Sequence, residues 1–148
     1  IVAGEILESQ KSYFESLNKL TNTLSVNNLD FIGPLSDVRS LLNQIDIYVC
    51  SSNFESSPIS VWEAMSMEKP VVSTKVGDVH LFLENEVNGF IVNVGDFDNI
   101  ACRLIELIRN EKLRVDFGKK ARISMVNHID IVKCTENHLD DYKKIINL

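Results

Sequence analysis

The chain has 148 residues, a formal net charge of −6 and 45% hydrophobic residues, a size and composition that suit one domain with its own core. This balance excludes disordered, collagen-like and mucin-like chains. No apolar run reaches the roughly 18 residues of a membrane-spanning helix, and the acidic balance argues against a nucleic-acid surface.

Short β-rich runs alternate with longer segments of helical period. Strands are expected at Ile1–Ala3, Leu29–Ile32, Ile47–Cys50, Pro70–Ser73 and Gly89–Val92. Ile1 already reads as the end of a strand, so the expectation is a piece of something longer, lacking its first strand and loop. Helices are expected at Ser9–Leu24, Ser36–Asn43, Pro58–Met67, Asp98–Arg109, Lys112–Val126 and Val132–Ile146. Pro58 suits a first helical position, and Asp98 is the expected N-cap of its helix. In that helix Ala101, Leu104, Ile105 and Ile108 form the expected inward stripe. The run DIYVC at 46–50 is apolar on both alternating faces after its aspartate, as in a covered parallel strand. Strand, helix, strand, helix and a helical tail predict an α/β fold, a Rossmann-like parallel sheet flanked by helices. The whole of 1–148 reads as one domain, with tail helices from about residue 111.

In such a sheet, ligands bind beyond the carboxyl ends of the strands. The richest junction follows Cys50 and runs Ser51-Ser52-Asn53-Phe54-Glu55-Ser56-Ser57-Pro58-Ile59-Ser60-Val61-Trp62-Glu63-Ala64-Met65. A helix start offers unpaired backbone amides backed by the positive end of the helix dipole, which suits a phosphate. Pro58 has no amide hydrogen, so the donors are Ser57, Ile59 and Ser60. Glu55 and Glu63 flank this start. A carboxylate accepts hydrogen bonds from a vicinal diol, and a nucleotide-sugar offers a ribose diol, a diphosphate and a sugar polyol in one molecule. The alternative for both acids is an ordinary solvated surface role, with Lys69 or Lys75 as partners for Glu63.

The segment DIYVCSSNFESSPISVWEAMSMEKPVV, residues 46–72, resembles the signature of the retaining glycosyltransferases of the GT-B fold, family four or group one. The matching positions are Asp46, Ser52, Glu55, Glu63, Ala64, Met65, Lys69, Pro70, Val71 and Val72. Val2-Ala3-Gly4-Glu5, Leu29–Leu35, Val76–Val79, Asn88–Val92 and Gly95-Asp96 extend the resemblance to about residue 122. It implies the C-terminal half of a GT-B fold. It assigns Glu63 to the ribose hydroxyls, Glu55 to the donor sugar as candidate catalytic residue, and Ser57, Ile59 and Ser60 to the diphosphate. It sets the backbone of Gly33 to Leu35 beside the nucleobase. The implied reaction moves a hexose, with retention, from a nucleotide-diphosphate sugar to a saccharide or lipid acceptor. No metal and no cofactor are implied. The sequence departs from the pattern at Ser56, Ser57 and Pro58, at Asp78 where a second glycine is usual, at Leu81 where glutamate is usual, and at Glu68 where glycine is common. These departures bear on donor identity more than on fold.

The complete enzymes of this family have a first domain that binds the acceptor. The expectation is therefore a donor-binding fragment, inactive alone, from a cytoplasmic protein that associates peripherally with the inner face of a membrane in one version of the reading. Other readings of the same pattern are a non-catalytic binding or assembly module and a nucleotide-sugar epimerase-like domain. A phospho-receiver lacks its acidic cluster here. Cys50, Cys102 and Cys134 are too far apart for a zinc motif and read as reduced thiols. His80, His128 and His138 have no ligand spacing. Trp62 reads as a buried anchor, and Lys119, Lys120, Arg122, Lys143 and Lys144 as solvated helix faces.

Overall fold

The computed structural model describes residues 1–146, which fall into two compact units, Ile1–Val38 and Arg39 onward.

In the first unit a single 3-10 turn, Glu8–Gln10, leads into α1 (Lys11–Thr23). The two expected strands shrink to one parallel bridge, Val2 with Phe31. Val2 donates to Asp30 O at 2.7 Å, Ile32 to Val2 O at 3.0 Å and Gly4 to Gly33 O at 2.9 Å. A two-segment pair offers little ladder to stabilise. Phe14 and Phe31 meet edge to face at 5.0 Å. No residue of this unit is fully buried, and Tyr13, Leu20 and Leu24, which recur at helical spacing, are exposed.

The second unit runs α2 (Arg39–Gln44), β1 (Tyr48–Cys50), α3 (Ile59–Ser66), β2 (Val71–Thr74), α4 (Val79–Phe82), β3 (Gly89–Val92), α5 (Phe97–Arg109), α6 (Glu111–His128) and α7 (Ile131–Ile146). The three strands form a parallel sheet in the order β1-β2-β3. Tyr48 pairs with Val71 and Cys50 with Ser73, while Val71 pairs with Gly89 and Thr74 with Val92. β2 is central and buried throughout. It reads as an apolar run because both of its faces are covered. Val72, Phe90, Val92, Ile100, Leu107 and Phe117 form a core cluster. Within it Phe90 and Phe117 pack at 5.2 Å. The Arg103 guanidinium lies 4.5 Å from the Phe90 ring centroid and also binds Glu86 at 2.8 Å and Glu106 at 3.0 Å.

Two local expectations are corrected. The N-cap of α5 is Asp96, whose carboxylate accepts from Asn99 N at 3.1 Å. The helix starts one residue earlier than expected, so Asp98 lies in its first turn, where it still favours the helix dipole. The inward face of α5 is Ile100, Leu104 and Leu107, while Ile105 and Ile108 are 45% and 64% exposed. Both stripes have helical spacing. The sheet covers only the one that meets Phe90 and Val92.

α3 crosses α6 closely because Gly118 has no side chain. A Cβ there would sit 2.1 Å from the Glu68 carbonyl oxygen. That carbonyl belongs to the C-terminal turn of α3, a Schellman motif. Glu68 N donates to Met65 O at 3.1 Å and Lys69 N to Ala64 O at 3.0 Å. The motif puts its pivot residue in the left-handed region, and Glu68 has φ of 58°. This accounts for the glycine common at that position. Replacing Glu68 with Gly should raise unfolding stability by about 1 kcal/mol, since left-handed backbone costs a side-chain-bearing residue that much. A urea midpoint unchanged or lowered in Glu68→Gly would contradict this.

Candidate functional site

β1 delivers its carboxyl end to an eight-residue loop, Ser51–Pro58, before α3 begins. The loop is pinned from the next strand. Thr74, the last residue of β2, is buried, and its hydroxyl donates to Ser52 O at 2.7 Å with Cys50 O also near at 3.3 Å. Inside the loop, Ser52 Oγ donates to Glu55 Oε1 at 2.8 Å, and the Cys50 thiol approaches Ser52 Oγ at 3.7 Å. Glu55 is half-buried and held by one oxygen. A second clamp comes from the turn after β2. Gly77, at φ of 48°, lies so close to the loop that a Cβ would fall 2.1 Å from Ser56 O. Asp78 N also donates to that oxygen at 3.1 Å.

α3 begins at Ile59 with Pro58 as its N-cap, one residue later than expected. Pro58 O accepts from Val61 N at 2.9 Å. No side chain caps the helix, so the Ile59 and Ser60 amides have no intrahelical acceptor. Trp62 is a buried anchor, as expected. It meets Phe82 edge to face at 4.9 Å, and its indole N–H donates to Ser57 Oγ at 3.2 Å. Val61, Trp62, Ala64 and Met65 point inward, while Ile59, Ser60 and Glu63 share the outward stripe. Glu63 is exposed and has no ion pair or side-chain hydrogen bond among the described residues. Lys69 instead reaches Asn43 O at 3.5 Å.

Gly33 and Leu35 belong to the first unit. There Gly33 lines a largely apolar cavity of about 470 Å³ with Val2, Tyr13, Phe14, Leu17 and Phe31, and Leu35 is exposed.

Two residues of this arrangement, Thr74 and Tyr48, escape a motif reading, and for Gly77, which lies in the matching stretch Val76–Val79, the motif says nothing of what it touches. Thr74 and Gly77 act on a loop some twenty residues earlier, and only the register of the sheet reveals that. Burial pushes the Tyr48 phenol above the usual phenol range, with a Ser60 hydrogen bond opposing and the charges of Cys50, Glu63 and Glu55 adding to the rise. The period-two sequence Tyr48, Cys50, Ser52 is the signal that would have found it, because alternate residues share one face.

A model of the family described as Glycosyl transferases group 1 matches residues 1–124. The chain belongs to the group 1 glycosyltransferases. An Escherichia coli relative, UDP-Gal:alpha-D-GlcNAc-diphosphoundecaprenol alpha-1,3-galactosyltransferase, is 24% identical over 94% of this chain and 34% of its own length. The fold is that of GT-B glycosyltransferases. Anabaena HepE, crystallised in complex with UDP and glucose, matches with a TM-score of 0.90 at 23% identity, over 96% of this chain and 39% of that one. The C-terminal domain of LpcC, a group 1 protein of Francisella tularensis, matches with a TM-score of 0.77 at 24% identity, over 84% of this chain and 66% of that one. The chain thus spans about a third of the length of the relatives it matches. Among the described residues no helix is long and apolar enough to cross a membrane.

Two outcomes follow from the pinned loop. Gly77→Ala should destabilise the chain by about 2–3 kcal/mol, because neither the backbone angle nor the Ser56 carbonyl leaves room for a methyl group. Denaturant unfolding measures this, and a loss below a few tenths would contradict the close contact. The second concerns pH. The native phenol of Tyr48 titrates above the unfolded one, so its contribution is complete below pH of about 10 and is lost as pH rises through the native value. Tyr48→Phe should flatten the alkaline fall in stability, as read from thermal midpoints across pH 8–11.

Proposed function

We propose that this chain is the nucleotide-sugar binding part of a retaining glycosyltransferase that moves a hexose to a saccharide or lipid acceptor. One observation supports this most directly: Glu63 stands outward and unpaired on the first turns of α3, beside the free amides of Ile59 and Ser60. An unpaired exposed carboxylate on the same stripe as a phosphate-ready helix start suits a ligand with a diol next to a diphosphate.

In this reading Glu63 accepts from the ribose hydroxyls. The Ile59 and Ser60 amides, with Ser57 ahead of them, face the diphosphate and stabilise the charge that grows on it as the sugar leaves. Glu55 stands at the sugar, oriented by Ser52. No metal or cofactor enters the scheme. Transfer needs an acceptor, and the chain spans a third of its relatives' length, so the 148 residues alone bind donor and transfer little or no sugar. The Escherichia coli relative's named acceptor is a diphosphoundecaprenol. With a lipid acceptor of that class, the proposal has the whole protein working in the cytoplasm, peripheral to the inner membrane face.

Titration calorimetry with UDP, GDP and ADP, each with and without a hexose, tests this. The chain should bind one nucleotide and its sugar conjugate. Glu63→Ala should weaken both at least about tenfold, the worth of hydrogen bonds to a charged acceptor. Equal binding with and without the Glu63 carboxylate would remove its ribose role.

A further inference from the structure

Ser57 is one of the departures from the family pattern, and it stands directly before Pro58, the N-cap of α3. The residue is exposed, yet its hydroxyl oxygen is engaged from inside: the indole N–H of Trp62 donates to it at 3.2 Å. Trp62 itself is buried. A buried indole N–H needs a partner, and here the partner is a loop hydroxyl rather than a carbonyl of the core. Moving the loop would orphan that donor, so the core holds Ser57 in place.

The indole is held in turn from behind. The Phe82 ring meets it edge to face at 4.9 Å. Phe82 O accepts from Asn88 Nδ2 at 3.0 Å and from Ser124 Oγ at 2.8 Å, which ties Phe82 both to the turn before β3 and to α6. A serine hydroxyl has one proton to give and two lone pairs. Trp62 engages the oxygen, and the Ser57 proton has no acceptor among the described residues. An O–H whose oxygen already accepts a hydrogen bond is polarised into a stronger donor. It stands two and three residues ahead of the Ile59 and Ser60 amides, which also lack an intrahelical acceptor.

We propose that the Ser57 hydroxyl is a further donor to the diphosphate, beside the Ile59 and Ser60 amides, and that Trp62, backed by Phe82, is the positioning residue that aims it. Trp62 touches no ligand in this scheme. It occupies one lone pair of the Ser57 oxygen, so the hydroxyl proton turns away from the indole and is left for an acceptor outside the fold. A charged phosphate oxygen gains more from such a donor than a neutral acceptor does. The inference rests on the reading of loop 51–58 and the start of α3 as a donor site.

The test is a double-mutant cycle on the full chain, read by titration calorimetry with whichever of UDP, GDP and ADP binds. Ser57→Ala should weaken that nucleotide about tenfold, the worth of a hydrogen bond to a charged group. Ser57→Thr keeps a hydroxyl and should restore most of the affinity. Trp62→Phe removes the N–H and keeps a ring against Phe82. It should weaken binding about threefold in the otherwise native chain and not at all in the Ser57→Ala chain, because its effect runs through the hydroxyl. A general loosening of the fold would act in both backgrounds, so dependence on Ser57 is the readout that a merely structural role does not give. Phe82→Leu keeps the indole and disturbs its backing. It should show the same dependence with a smaller effect, and it carries the test where Trp62→Phe folds poorly. The proposal is overturned where Ser57→Ala leaves binding unchanged, where the substitution behind it leaves the otherwise native chain unchanged, or where that substitution weakens binding equally with and without the Ser57 hydroxyl. If none of the three nucleotides binds the unsubstituted chain, the donor-site reading falls and takes this one with it. If one binds and Glu63→Ala weakens it while Ser57→Ala does not, only the roles of Ser57 and Trp62 fall.

Discussion

The loop between β1 and α3 has no regular structure of its own, so its shape comes from what grips it. From the next strand the grip comes through the Thr74 hydroxyl on Ser52 O and the bare α-carbon of Gly77 against Ser56 O. Both come from the carboxyl end of the neighbouring strand. Parallel pairing sets Cys50 opposite Ser73, which brings Thr74 beside the first loop residues and the following turn beside the middle of the loop. The direction of Glu55, the start of α3 and the outward stripe of Ile59, Ser60 and Glu63 all follow from that anchoring. A site built on loops gains precision only when a rigid scaffold fixes both ends, and here the buried central strand supplies the second hold.

The departures from the family pattern divide by physical role. Glu68 occupies a left-handed helix terminus, where glycine is common for backbone reasons alone. Its consequence is a small loss of stability on the far side of α3. Ser57 replaces a flexible residue with one whose hydroxyl accepts from Trp62, which ties the loop to the buried indole. Asp78 differs from both. Its backbone tolerates any residue, its side chain supports no helix cap, and its carboxylate oxygen is left without a donor. Changes of the first two kinds adjust the scaffold, whereas the third has no structural explanation.

The two units differ in how far they bury their apolar residues. From Arg39 onward, β2 is covered on both faces, and the aromatic pair Phe90–Phe117 closes the core beneath α5 and α6. The first unit pairs its two extended segments at a single bridge and buries no residue fully. Sheet stability grows with the number of paired strands, which explains why equally apolar runs give ladders in one unit and an isolated bridge in the other.

The sequence by itself determined the α/β class, three of the five strands to within one or two residues, the helix start after Pro58, the anchoring of Trp62 and the family. These properties are written in local periodicity, turn residues and short motifs, which need no knowledge of distant neighbours. The tertiary structure alone decided which stripe of α5 faces the sheet, since Ile105 and Leu107 both sit at helical spacing and only contact with β3 chooses between them. It alone decided that Glu63 faces outward without a partner, that Tyr48 shares its surroundings, and that Thr74 and Gly77 hold the loop. The hold of Thr74 and Gly77 depends on contacts between residues about twenty positions apart, which parallel strand register creates and no local pattern encodes.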